Sequence, residues 1–263
     1  MAAKRLICTN AKGGTGKTTT CFNIAGILSK QGYKVLCIDS DPQANLSIVL
    51  GVNISTVTKS LADVINGNHP AADCLVNALP NLDVLPATLA LDTVQTLPSM
   101  ATRRKQSGIL AMKLKGLEDN YDFIITDTAS SASITPLTFA SLAYSDLAIV
   151  PVVPNALDVA GLGTVTRIIA GMRKDYWNER LSLFMVVAQQ MQRNKVCAQN
   201  WAHVQRLFPE AAKTAIRRNV TVAASLGAMK PLCYYNTNCN GYFDYEALTE
   251  EILLRLEMTG VTH

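Results

Sequence analysis

Short, nearly uninterrupted apolar runs recur along this chain at residues 5–10, 34–39, 82–86, 122–127, 147–152 and 182–188, separated by segments of helical length. Runs of this length predict strands. Their near-continuous hydrophobicity, as in Phe123-Ile124-Ile125 and Ala148-Ile149-Val150, predicts strands covered on both faces. Alternation of such strands with helices predicts βαβ units, so the expected fold is α/β: a doubly wound, mostly parallel sheet with helices on both faces. Ligands of such sheets bind beyond the carboxyl ends of the strands. Without an internal repeat or a low-complexity linker, a single domain over residues 1–263 is expected, with the less regular residues 52–105 as an insertion or lid. The first strand runs directly into a glycine-rich turn, so no helix-turn-helix domain is expected before it.

Composition narrows the class. At 263 residues with 49% hydrophobic content, the chain is long enough for a sizeable α/β core. No apolar run approaches ~18 residues, which argues against a membrane span. The strand-like Leu6-Ile7-Cys8 comes too early to leave room for a secretory signal, so a cytoplasmic location is expected. Seven scattered cysteines lack the paired spacing of zinc or redox sites. Cys8, Cys21, Cys37 and Cys233 stand among apolar neighbours and read as small core residues.

The chemistry concentrates after the first strand, at Lys12-Gly13-Gly14-Thr15-Gly16-Lys17-Thr18-Thr19, followed by a helix running to about Lys30. Glycines let successive backbone N–H groups curl toward phosphate oxygens, and the helix N-terminus adds a favourable dipole. Lys17 is then expected to reach the β- and γ-phosphates and the Thr18 hydroxyl to ligate Mg²⁺. A standard loop has glycine where this chain has Ala11, and Lys12 is an additional lysine before the glycines. Such a lysine is either a solvated loop residue or a cation that stabilises phosphate charge across a dimer interface. Asp39, Asp41 and Asp127 fall at strand ends beside the loop. Carboxylates there suit two tasks, holding Mg²⁺ through water for Asp127 and orienting the attacking water for Asp41.

These residues carry a resemblance. Lys12 to Thr19, Asp39-x-Asp41-Pro42-Gln43-x-Asn45 and Tyr121-Asp122-Phe123-Ile124-Ile125-x-Asp127 resemble the ParA and MinD group of P-loop NTPases of the deviant Walker type. Pro151-Val152-Val153-Pro154, Gly161-Leu162, Arg218-Asn219-Val220, Gly227 and Lys230-Pro231 make the chain more similar to ParA. The resemblance implies an ATP- and Mg²⁺-dependent ATPase that forms a sandwich homodimer. It makes Lys12 the residue acting across that dimer, with Gly13 packed at the interface. Lys17 and Thr18 hold phosphate and Mg²⁺, Asp41 supports hydrolysis and also faces the metal through water, and Asp127 holds magnesium through water. It further implies an ATP-state dimer that binds double-stranded DNA without sequence preference, and so sits on the nucleoid. A ParB-like partner or cargo adaptor would stimulate slow hydrolysis, and the cargo would be a plasmid, a chromosome or a protein body such as a carboxysome. The chain departs from the family at Thr128-Ala129-Ser130-Ser131, where two prolines are common, at Arg217, where proline is usual, and at Ala188-Gln189-Gln190-Met191.

Charge supports a nucleic-acid footprint. Residues 163–219 hold ten Lys or Arg against three acids, an excess of seven in a chain of net +4 that is therefore −3 elsewhere. Arg217 and Arg218 are the expected DNA contacts, Arg218 matching the family position. A MinD-like membrane role requires a basic amphipathic C-terminal helix, whereas residues 246–258 carry four acids and one Arg, and Leu248, Ile252, Leu253 and Leu256 are expected to dock on the sheet. The nitrogenase reductase type of iron-sulfur protein is excluded because no cysteine stands in the segment just after Asp127, the next being Cys197. A metabolic kinase or ligase of the dethiobiotin synthetase type, which also uses a deviant loop, is the alternative enzyme class.

Overall fold

The computed structural model describes residues 3–131 and 133–258. Residues 1, 2, 132 and 259–263 of the expected single domain lie outside the described residues. In chain order the elements are β1 (Lys4–Cys8), α1 (Lys17–Lys30), β2 (Val35–Ser40), α2 (Asn45–Val49), α3 (Leu61–Asn66), β3 (Val76–Leu79), β4 (Leu82–Leu85), α4 (Ala90–Val94) and α5 (Arg103–Leu114). There follow β5 (Phe123–Thr128), α6 (Pro136–Tyr144), β6 (Leu147–Val152), α7 (Ala156–Lys174), β7 (Ser182–Met191), α8 (Lys195–Leu207), β8 (Ala211–Arg217), α9 (Val220–Gly227), α10 (Leu232–Tyr235) and α11 (Asn240–Met258).

Among the described residues one sheet of eight strands runs in the order β3-β4-β2-β5-β1-β6-β7-β8. All neighbours are parallel except the hairpin of β3 with β4. Strand alternation divides the core. Leu6, Cys8, Val35, Cys37, Ile125 and Ile149 face one side, where Phe22 and Leu28 of α1 and Leu248 and Ile252 of α11 cover them. Ile7, Leu36, Ile38, Ile124 and Val150 face the other, under α3, α5, α6, α7 and α8. Burial on both faces explains the continuous apolar runs. The central strand β1 lies between β5 and β6, with the chain winding outward in both directions. The crevice at its carboxyl end is therefore the topological switch point.

Residues 52–105 are knitted into this layer structure. They supply α3, β3, β4 and α4, and Leu61, Ile65, Leu91 and Met100 are buried in the core beneath them. α1 tolerates Gly26 in its middle for a packing reason: a Cβ there would stand 2.5 Å from Pro231, so α10 approaches the helix backbone directly. On α11 Leu248, Ile252 and Leu256 are buried and Leu253 packs against them. Among the described residues no helix is long and apolar enough to cross a membrane. All seven cysteines are free, six of them buried, Cys239 being half-buried.

Candidate active site

β1 ends at Cys8 and the chain turns through Thr9–Gly16 into α1. Asn10 anchors the turn, donating from Nδ2 to the Pro151 carbonyl at 2.8 Å and accepting the Lys12 N–H at 3.1 Å. Gly14 and Gly16 have φ of 73° and 91°, the left-handed region where a side chain is strained. Gly16 stands at the start of α1 and, among the described residues, no side chain caps the helix. The first intrahelical bond there runs from the Thr20 N–H to the Gly16 carbonyl at 2.9 Å. The N–H groups before Thr20 therefore have no intrahelical acceptor, which is the arrangement an anion occupies.

Lys17 is buried, and its Nζ donates to Ser130 Oγ at 2.5 Å and to the Lys12 carbonyl at 3.3 Å. Burial pulls the Lys17 ammonium below the ordinary lysine range, against the opposing pull of Asp127 and Asp41. Thr18 Oγ1 donates to Asp127 Oδ2 at 2.6 Å. Asp127 is fully buried, and its Oδ1 has no hydrogen-bond partner among the described residues. Burial, and then the charge of Asp39 on the neighbouring strand, push Asp127 up to about 8, while the Thr18 hydroxyl and Lys17 pull it down. An oriented, unpartnered carboxylate oxygen beside a threonine hydroxyl is a hard oxygen donor pair, which fits Mg²⁺.

The three aspartates at the strand ends have separate positions. Asp39 accepts the Ser47 N–H at 2.8 Å, the Ser47 hydroxyl at 2.7 Å and the Asp41 N–H at 3.1 Å. It thereby fixes α2 against β2, on the same face of the sheet as Asp127; burial pushes it up to about 6 against those hydrogen bonds. Asp41 is half-buried, accepts the Gln43 N–H at 2.9 Å, and borders a groove of about 230 Å³ with Gly14, Lys17, Thr18, Asn45 and Ser130. The structure thus brings together Gly14, Gly16, Lys17, Thr18, Thr19 and Asp41 around one groove, with Asp127 beneath Thr18. Lys12 lies apart, its Nζ ion-paired with Asp158 in the first turn of α7. Gly13 borders Ser130, and the Thr15 hydroxyl reaches back to the Lys12 carbonyl.

A second, mostly apolar cavity of about 330 Å³ adjoins the groove. Ile216, Val222, Leu226 and Tyr245 line it, together with Gln189, Gln190, Arg217 and Arg218. Gln189 is tied into the core, donating to Thr20 Oγ1 at 2.9 Å and accepting from the Tyr245 hydroxyl at 3.2 Å. Arg217 is committed to Asp244 of α11: Nη2 meets Oδ1 at 2.6 Å and the Arg217 N–H donates to Oδ2 at 2.9 Å. Arg218 is exposed, and its N–H joins the Met191 carbonyl at 3.0 Å, which sets the ends of β7 and β8 side by side.

The basic excess of residues 163–219 does not form one stripe. Arg193, Lys195, Arg217 and Arg218 stand at the carboxyl ends of β7 and β8, next to the groove. Arg173, Lys174, Arg180, Arg206 and Lys213 stand at the opposite end, where α7 and α8 finish and β7 and β8 begin. Asp158, the contact of Ser130 with Lys17 and the second cavity are not legible in the sequence. Each pairing spans more than a hundred residues, as with Lys17 and Ser130 at a separation of 113, and no local spacing encodes it.

The chain matches the AAA domain family over residues 3–183. It is 32% identical over 253 residues to the chromosome partitioning protein ParA of Caulobacter vibrioides, covering 95% of this chain and 94% of that protein. It is 30% identical over 257 residues to the sporulation initiation inhibitor protein Soj of Bacillus subtilis, covering 95% of this chain and 98% of Soj. Its fold matches apo McdA of Cyanothece with a TM-score of 0.84 at 24% identity, over 97% of this chain and 99% of McdA.

Proposed function

This chain belongs to the ParA family, and from that membership we propose that it is a Mg²⁺-dependent ATPase whose nucleotide state switches dimerisation and DNA binding. The observation that carries this reading is the convergence of Lys17, Thr18 and Asp41 on one groove at the uncapped start of α1, with the unpartnered Asp127 oxygen beneath. The glycine-loop N–H groups and Lys17 bind the triphosphate and hold the negative charge of the β–γ bridge as it grows. Thr18 and, through water, Asp127 and Asp41 hold Mg²⁺, which supplies further neutralisation of the phosphate oxygens. Asp41 orients a water molecule against the γ-phosphorus. The new P–O bond forms as the bridge to the β-phosphate breaks, giving ADP and inorganic phosphate.

Lys12 acts from a second copy of the chain. Its side chain is half exposed with only its tip held by Asp158, so crossing to the nucleotide of a partner requires an exchange of counterion rather than refolding. Arg218, with Arg193 and Lys195 at the same edge, supplies the phosphate-backbone contacts to double-stranded DNA. The cargo is a segregating DNA or a protein body, linked by a ParB-like partner or adaptor that stimulates hydrolysis. The relatives named as chromosome partitioning proteins support the first. α11 docks Leu248, Ile252 and Leu256 on the sheet and carries four acids against one Arg over residues 246–258, which supports the nucleoid rather than an anionic bilayer as the matrix.

Binding of the purified protein to arbitrary duplex DNA, with no nucleotide, with ADP and with a slowly hydrolysed ATP analogue, tests the reading. Binding confined to the ATP-like state is the expected result. Absent or nucleotide-independent binding would turn the assignment toward the metabolic kinase or ligase class.

A further inference from the structure

Three residues, Gly16, Thr19 and Gln190, line both the phosphate groove and the apolar cavity beside it. On the proposed reading the groove takes the phosphates, and the planar base enters the apolar cavity against Val222 and Leu226. The sugar that joins them then passes these three residues. Gly16 has no side chain, so Thr19, with its short hydroxyl on α1, and Gln190, with a longer amide at the end of β7, are the two side chains that bring polar groups to this passage. Of the two, Gln190 has its polar group set in one direction by a further contact.

Its placement is unusual for a glutamine. β7 carries a register shift against β8 between Ala188 and Met191, and within it Gln190 has φ of 53°. A bulge re-aims the side chains of a strand end, and a left-handed backbone is strained for any residue with a Cβ. Such strain is held where the surrounding structure over-determines it, and it is concentrated at functional sites. The side chain is oriented as well: Nε2 donates to the Gly14 carbonyl at 3.1 Å. Because the amide is planar, that bond fixes the direction of Oε1, which accepts no hydrogen bond from the described residues. The adjacent Gln189 has both amide atoms engaged, by Thr20 and Tyr245, so the pair divides into a structural member and an available one.

We infer that Gln190 reads the sugar of the bound nucleotide, its Oε1 accepting a hydrogen bond from a ribose hydroxyl while Nε2 stays on Gly14. The inference rests on the nucleotide reading of the groove and adds to it a preference for ribonucleotides over deoxyribonucleotides. Because Gln190 is exposed, the analogue that lacks the hydroxyl forgoes only the net worth of that hydrogen bond, a severalfold difference in affinity.

The test is equilibrium binding of MgADP, 2′-deoxy-ADP and 3′-deoxy-ADP, which avoids turnover and ATP-driven dimerisation. The wild-type chain is expected to bind ADP about fivefold or more tightly than at least one deoxy analogue. Gln190→Met, similar in length without the amide, is expected to bring all three ligands within about twofold while still binding ADP. Gln190→Gly, which keeps the left-handed backbone at no strain, is expected to do the same and serves if the methionine variant folds poorly. ADP binding with no discrimination by the wild type overturns the inference, as does discrimination that survives in both variants. Equal weakening of all three ligands would make Gln190 a loop support only, which also overturns it. Failure of wild-type protein to bind ADP at all would instead remove the nucleotide reading on which the inference stands.

Discussion

Lys12 is ion-paired with Asp158 of its own chain, 146 positions away, and the two partners differ in exposure: the Lys12 side chain is 49% exposed and that of Asp158 only 3%. Removing the lysine therefore leaves a buried carboxylate without its counterion. Lys12→Ala is expected to lower the unfolding free energy by about 1–3 kcal/mol, part of which the double substitution with Asp158→Asn restores. Partner-stimulated ATP hydrolysis is expected to be abolished in both, with nucleotide binding retained in part. Thermal unfolding separates the first effect from the second, and stimulated turnover at the wild-type rate in Lys12→Ala would remove Lys12 from the chemistry.

Asp41 differs from its neighbours in facing the groove. Its Oδ1 accepts the Gln43 N–H and holds the turn, while the carboxylate stays half exposed beside Lys17 and Asn45. Asp41→Ala is expected to reduce kcat by about a hundredfold or more, within the range that general-base and positioning groups contribute, with ATP affinity changed only severalfold. The variant is expected to accumulate as an ATP-bound dimer in size-exclusion chromatography. Wild-type turnover would count against the role given to Asp41.

The strands that form the centre of the sheet are legible because burial on both faces forces continuous apolar residues, as in Phe123-Ile124-Ile125. The edges lack that signal. β3 is four residues, Val76-Asn77-Ala78-Leu79, paired on one side only, and β8 reads Ala211-Ala212-Lys213-Thr214-Ala215-Ile216-Arg217 with Lys213 exposed. Neither run shows the apolar continuity of a central strand, since an edge accepts polar and small residues that a centre excludes. Residues 52–105 look irregular for the same reason: short helices and the β3–β4 hairpin show no long period, although Leu61 and Leu91 are fully buried. Within the site, the loop is legible because its chemistry is local in sequence. The bond from Lys17 to Ser130 and the wall made by Gln190 depend on tertiary placement.

Glu251 of α11 clamps the helix to the edge strand β8. It accepts the N–H groups of Lys213 and Thr214, each at 3.0 Å, and pairs with Arg255 at 2.6 Å. Burial alone would raise its pKa, but these donors outweigh it and hold Glu251 below the ordinary glutamate range. A carboxylate whose folded pKa is depressed contributes stability above its unfolded value and loses it as the pH falls through the folded one. Glu251→Gln is thus expected to destabilise by about 1–2 kcal/mol above about pH 5, with the gap narrowing below about pH 4. Denaturant midpoints of the two proteins across that range check the sign; a gap that widened with acid would reverse it.

Arg217 and Arg218 are adjacent in sequence but differ in their partners. Arg217 is bound to Asp244 through both its backbone N–H and its guanidinium, which ties the end of β8 to α11 and leaves little free charge for a phosphate. Arg218 is exposed and shares the carboxyl edge of the sheet with Arg193. Arg218→Glu is therefore expected to weaken ATP-state DNA binding by at least about tenfold at moderate salt, with a shallower salt dependence and a smaller loss of ATP affinity, since Arg218 also lines the cavity beside the groove. Arg217→Ala is expected to act mainly on stability, leaving Asp244 unpaired and the wall of the apolar cavity loosened. Fluorescence anisotropy with a labelled duplex at two salt concentrations, run beside thermal unfolding, distinguishes them. Equal loss of DNA binding in both variants without destabilisation would move Arg217 onto the DNA surface, whereas retained binding in Arg218→Glu would place that surface elsewhere, with the basic group near Arg173 and Arg206 the next to test.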